Sequence, residues 1–203
     1  HYSGHGTSQF DWGGEEDDLK DEVICPYDYA SSGSIADDTL NSHFLQHLGS
    51  DCYVRILMDC CRSGTIWDLK YRYGNGVIDK INAPEISCNV IVLSGCKDNQ
   101  YSYDVYTAGE SQGAFTHCFL KTMNNNSNAV VTESVKLINN CLVAGGWGGQ
   151  TSRLTSSFLL TDKDIFLHFE KIEGGQAIDQ GNITTVEEED DVDWWILDMC
   201  SVM

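Results

Sequence analysis

Two residue types in this chain are able to cooperate in nucleophilic catalysis. His5 lies in Ser3-Gly4-His5-Gly6, where the flanking glycines let the backbone turn sharply and present the imidazole. Fifty-six residues on comes Asp59-Cys60-Cys61-Arg62-Ser63-Gly64, directly after the apolar run 53–58. A cysteine at the end of a strand, in a turn closed by glycine, is where an activated thiol stands, with a histidine as its proton partner. Each residue also has an ordinary reading taken singly: a surface glycine turn for His5, a small buried hydrophobe for either cysteine.

These groups need a scaffold. The runs 53–58 (YVRILM) and 90–93 (VIVL) are short, apolar and β-rich, as buried parallel strands are. Between 37 and 49, Asp38 is suited to cap a helix whose Leu40, Phe44, Leu45 and Leu48 share a face before Gly49 ends it. Helical spacing recurs over 113–123, with Ala114, Phe115, Cys118, Phe119 and Met123 inward, and over 132–144, stopped by Gly145 and Gly146; 158–160 adds a late strand. Strands alternating with helices predict an α/β sheet covered on both faces, with its chemistry beyond the carboxyl ends of the strands.

Residues 67–86 carry Gly74, Gly76, Pro84, Lys70, Arg72 and Lys80 between two strand-like runs and read as an exposed connector. The chain therefore divides into 1–66, which holds His5 and Cys61, the connector 67–86, a second part at 87–169 and an acidic extension at 170–203. Twelve basic residues against 31 acidic ones give a formal charge of −19, which repels polyanions and disfavours nucleic acid or an anionic membrane as partner. The excess is concentrated: residues 11–22 hold seven acids and residues 181–203 another seven, so cations are the natural ligands. Nine cysteines, an odd number without a C-x-x-C pair, favour reduced thiols in a cytoplasmic setting. His43 and His47 stand four apart with no accompanying carboxylate motif, which argues for surface placement over zinc.

A histidine about fifty residues ahead of a cysteine is the chain order of caspase-type proteases, and here the resemblance is specific. His1-Tyr2-Ser3-Gly4-His5-Gly6 resembles the histidine motif of the metacaspases, and Asp59-Cys60-Cys61-Arg62-Ser63-Gly64 their D-x-C-H-S-G cysteine motif. Ser94-Gly95-Cys96-Lys97-Asp98-Asn99-Gln100, then Ser102 and Asp104, is similar to their S-G-C-x-D-x-Q-T-S-A-D stretch. Gly113-Ala114-Phe115-Thr116 matches the start of the next helix, and 150–157 resembles a late family element.

The resemblance implies a caspase-like α/β fold with a mostly parallel sheet, in the type I order, lacking its first strands and helix at the N-terminus. It implies a cysteine endopeptidase acting on peptide or protein substrates after Arg or Lys, as a monomer, with Cys61 as nucleophile, His5 as proton shuttle and Cys60 as a packing residue. Backbone N–H groups near Gly4 and Cys61 would hold the oxyanion. Ser3 and Asp59 would line an acidic pocket for the substrate cation, with a cap for the turn around Cys60 as the ordinary alternative for Asp59. Asp21, Asp37, Asp38 and Asp68 align with the family's activating calcium site; the ordinary alternative is that Asp37 and Asp38 only begin a helix and Asp21 belongs to a solvated acidic run. Lys70, Arg72 and Lys80 become self-cleavage points, or ordinary loop charges. Arg62 replaces the family's usual histidine beside the thiol; it would either favour the thiolate or fill the acidic pocket. The competing expectation is a catalytically weak or inactive caspase-fold interaction protein.

Overall fold

An apolar run buried on both faces belongs in the middle of a sheet, and 89–94 lies there in the computed structural model, which describes residues 1–10, 20–74, 77–97, 100, 102–107 and 110–166. The strands are β1 (Tyr2–Ser3), β2 (His5–Phe10), β3 (Lys20–Cys25), β4 (Ile35–Ala36), β5 (Tyr53–Asp59), β6 (Tyr71–Gly74), β7 (Val77–Lys80), β8 (Asn89–Ser94), β9 (Asp104–Thr107), β10 (Glu110–Gly113) and β11 (Arg153–Ser156). The helices are α1 (Tyr29–Ser32), α2 (Asp37–His43), α3 (Ala114–Asn125) and α4 (Val131–Ala144).

The main sheet has six strands in the order β1-β5-β8-β11-β6-β7. β1, β5 and β8 are mutually parallel, β11 is antiparallel to both β8 and β6, and β7 closes a hairpin with β6. Four of the six strands thus point the same way, the α/β arrangement expected. Alternation along β8 builds the core. Ile91 and Leu93 face α3 and α4, where Phe115, Phe119, Ile138 and Leu142 cover them. Val90 and Val92 face the opposite layer with Ile56, Met58, Leu45, Ile66 and Leu69. A second, three-stranded antiparallel sheet, β2-β3-β4, carries His5 at its first position. None of the helices among the described residues is long and apolar enough to cross a membrane.

Three local expectations change. The helix expected to be capped by Asp38 starts at Asp37, with Ala36 as N-cap. Ile35 and Ala36 pair with Ile24 and Val23, so the strand fixes where the helix begins, and both aspartates fall in its first turn. Its expected continuation to Gly49 is broken: Leu45–His47 is a 3-10 turn and Phe44 is exposed. The late strand lies at β11 rather than 158–160, since Thr155 and Ser156 pair with both β8 and β6. The stretch 67–86 is exposed along β7, but Trp67 and Leu69 are buried and β6 is an interior strand of the main sheet. The acids at 15–18, His168 and the acidic extension with Trp194 and Trp195 lie outside the described residues.

Phe115 is fully buried beneath β8 and contacts the Phe119 ring at a centroid distance of 6.3 Å. Phe115→Ala should lower unfolding free energy by about 3–5 kcal/mol, read as a reduced urea midpoint with a preserved slope.

Candidate functional site

The site forms where β1 and β5 end side by side. Their parallel register sets Tyr2 beside Met58 and Ser3 beside Asp59, and the Gly4 N–H donates to the Asp59 carbonyl at 3.2 Å. The two chains leaving these strands, 4–6 and 60–62, are consequently neighbours. Their approach is so close that a Cβ on Gly6 would collide with the Cys61 carbonyl oxygen and lie 3.2 Å from Cys60 Sγ. Glycine after His5 is therefore a packing requirement, and it brings the backbone of the histidine motif against that of the cysteine motif. The Tyr2 hydroxyl fixes this segment by donating to the carbonyls of His5 (2.8 Å) and Cys25 (3.1 Å). His5 itself is solvent-exposed.

Cys60 and Cys61 have different surroundings. Cys60 is fully buried in the layer with Met58 and Ile66, and burial pushes its thiol well above the usual range. Its carbonyl accepts bonds from Ser63 Oγ (2.9 Å) and Cys96 Sγ (3.1 Å). Cys61 is half-buried, and the main-chain N–H of Ser102 donates to its Sγ at 3.2 Å. The chain turns immediately after the sulfur because Arg62 adopts φ +53°. Of the pair, only Cys61 combines access with a donor aimed at sulfur, as a nucleophile requires; Cys60 and the fully buried Cys96 are packing residues.

Asp59 is 4% exposed. Its Oδ1 accepts from Ser102 Oγ at 2.7 Å, and its Oδ2 accepts from the Thr116 N–H at 3.0 Å and Thr116 Oγ1 at 2.6 Å. Rather than capping the turn around Cys60, the carboxylate caps α3 from another strand, and Gly113 leaves it room, since a Cβ there would meet it. Among the described residues Asp59 is in no salt bridge. Ser3, at the same level on β1, is exposed. The Gly4 N–H, expected near the oxyanion, is instead taken up by the β1–β5 ladder.

The four aspartates aligned with a calcium site lie on three elements that meet at Glu22. Asp37, 2% exposed, accepts the N–H groups of Glu22 (3.2 Å) and Asp38 (3.0 Å). Thr65, at the start of the turn holding Asp68, donates to Glu22 Oε2 at 3.0 Å. Asp21 neighbours Glu22 in β3 and accepts from Gln9 Nε2 at 3.4 Å. Among the described residues, however, no three His, Cys, Asp or Glu side chains are grouped closely enough to hold a metal ion. The donors are hard oxygens of the right class, but they are not gathered as ligands in this conformation.

Of the proposed self-cleavage points, Arg72 lies in β6, hydrogen-bonded to strands on both sides, and pairs with Asp79 at 3.3 Å. Lys70 pairs with Glu85 at 2.8 Å, and Lys80 ends the exposed edge strand β7. Edge placement makes Lys80 the most accessible of the three.

A six-stranded α/β sheet, with the backbone that follows His5 packed against that of Cys61 at its carboxyl edge, is consistent with a caspase-like fold. Comparison with known proteins agrees: residues 1–70 match the family described as metacaspase, peptidase C14 domain. Metacaspase-1 of Candida glabrata is 31% identical over 172 residues, covering 61% of this chain and 44% of that protein. Metacaspase-1 of Arabidopsis thaliana is 34% identical over 137 residues, covering 61% of this chain and 37% of that protein. The chain is thus similar to metacaspases over these stretches, and it spans about two fifths of the length of these curated relatives. The crystal structure of protein GSU0716 from Geobacter sulfurreducens shares the fold, with a TM-score of 0.56 at 24% identity over 83% of this chain and 70% of that one.

Because burial raises the Cys60 thiol, that group stays protonated and unreactive through neutral pH. Brief treatment of the folded protein with iodoacetamide at pH 7 should modify Cys61 well before Cys60, as tandem mass spectrometry would read; modification of Cys60 first contradicts the assignment.

Proposed function

We propose that this chain carries the catalytic centre of a cysteine endopeptidase that cleaves after Arg or Lys. The observation that carries this reading is the packing of His5-Gly6 against Cys61 at the joined ends of β1 and β5. In the proposed reaction the Cys61 thiolate attacks the scissile carbonyl, and His5 delivers a proton to the departing amine. A thioester remains on Cys61. Water then attacks it with His5 as base, releasing the carboxylic acid and restoring the thiol. With Gly4 committed to the ladder, the N–H of Cys61 is the donor left from the expected pair to meet the oxyanion.

Asp59 supports the choice of a cationic side chain. A buried carboxylate neutralised only by neutral donors retains its attraction for an incoming guanidinium or ammonium group, and its position two residues before the nucleophile sets that group beside the scissile bond. The bonds that hold Asp59 come from Ser102 and Thr116, both neutral donors. Calcium is proposed as an activator rather than a participant in the chemistry. The convergence of β3, the start of α2 and the turn at 65–68 supports it, and the aspartates would have to gather around the ion.

On a fluorogenic peptide ending in Arg, Cys61→Ala should lose about a thousandfold or more of kcat/KM and His5→Ala about a hundredfold or more. Asp59→Asn, which keeps the side-chain shape but not its charge, should lose about ten- to a hundredfold. Wild-type turnover should rise with calcium and fall with chelator. Absence of cleavage by the full-length protein, with Cys61→Ala leaving its cellular behaviour unchanged, would instead support an interaction module.

A further inference from the structure

Gln150, between α4 and β11, is 2% exposed. A buried amide is costly unless its hydrogen bonds are made, and both ends of this one grip a single segment. Its Oε1 accepts the Tyr103 N–H at 3.0 Å, and its Nε2 donates to Ser102 Oγ at 3.4 Å. The same loop is fastened a second time nearby, where Gln100 Oε1 accepts the N–H groups of Lys97 (3.2 Å) and Thr151 (3.1 Å). Space above the Gln150 amide is tight: a Cβ at Gly95 would lie 3.2 Å from Nε2. Ser102, held in this way, faces the site with two groups. Its N–H donates to Cys61 Sγ at 3.2 Å, and its hydroxyl donates to Asp59 Oδ1 at 2.7 Å.

We propose that Gln150 and Ser102 are positioning residues for the nucleophile: Gln150 holds the Ser102 hydroxyl and the adjoining Tyr103 N–H so that the Ser102 N–H stays aimed at Cys61 Sγ and its hydroxyl at Asp59. A donor fixed on sulfur favours thiolate over thiol. Ser102 thereby joins the group that recognises the substrate cation to the group that attacks its carbonyl. The inference rests on reading Cys61 as the nucleophile, and neither positioning residue is required to touch the reacting atoms.

The test is the pH dependence of iodoacetamide alkylation at Cys61, resolved from Cys60 by tandem mass spectrometry, in the full chain and in Gln150→Met, Ser102→Ala and Ser102→Thr. Hydrolysis of the Arg peptide is measured in parallel. Gln150→Met should move the alkylation curve to higher pH and slow the reaction about tenfold at pH 6.5, the effect of a shift of roughly one pH unit. Ser102→Ala should move it in the same direction by a smaller amount, and Ser102→Thr, which keeps both donors, should restore wild-type behaviour. A merely structural role would lower thermal stability without moving the curve. Folded Gln150→Met with the wild-type curve overturns the proposal; if that variant does not fold, an unchanged curve in Ser102→Ala does so. Active wild-type enzyme with unshifted variants rejects the clamp alone, whereas a wild-type Cys61 that neither alkylates nor supports cleavage rejects the peptidase reading beneath it.

Discussion

The carboxylate of Asp59 ties the molecule together at its site. It ends β5, a strand in the parallel part of the sheet, and binds Ser102 on the loop beyond β8 and Thr116 in the first turn of α3. A buried anion without such donors would be expelled or neutralised, so three separate stretches of chain are held in register by its need for hydrogen bonds. The helix gains in return, because the charge sits at its positive end. Glycine at 113 is the steric consequence, since any side chain there would occupy the carboxylate's place. One residue thus joins the architecture to the proposed selection of a positive substrate side chain.

A second constraint acts on the opposite flank of the same strand. Parallel pairing of β1 with β5 delivers Gly4-His5-Gly6 against Cys60-Cys61, and contact between Gly6 and the Cys61 carbonyl leaves no freedom in their spacing. Beyond the end of β5 the chain bends and turns, and the adjacent cysteines separate there. One thiol turns into the apolar layer and is disabled by desolvation; the next turns toward the Ser102 amide. Two identical side chains acquire opposite chemistry from a step of one residue.

Much of this was legible in the sequence for physical reasons. The β-rich apolar runs 53–58 and 90–93 read as strands and the apolar spacing from 114 to 123 as one face of a helix, so the sheet and its covering layer follow from pattern, although Tyr53 at the start of β5 is exposed. His5 and Cys61 were visible because glycines and a strand end mark both positions. Features that depend on partners distant in the chain were not visible. Ala36 rather than Asp38 caps α2 because β4 pairs with β3, and the expected connector supplies β6 because β11 lies beside it. Gln150, Ser102 and Thr116 could be quoted as parts of motifs, but their roles required knowing that residues 48, 43 and 57 positions from their partners meet. The tyrosine at position 2 carried no signal at all, although its hydroxyl holds the carbonyl of His5.

The most direct test compares two peptidyl acyloxymethyl ketones that differ only in their terminal residue, Arg or Asp, each incubated with the full chain and followed by mapping of the adduct. The account predicts a thioether on Cys61 from the Arg reagent and none from the Asp reagent. Equal labelling of Cys61 by the Asp reagent, or attachment of the Arg reagent to a different cysteine, would contradict it.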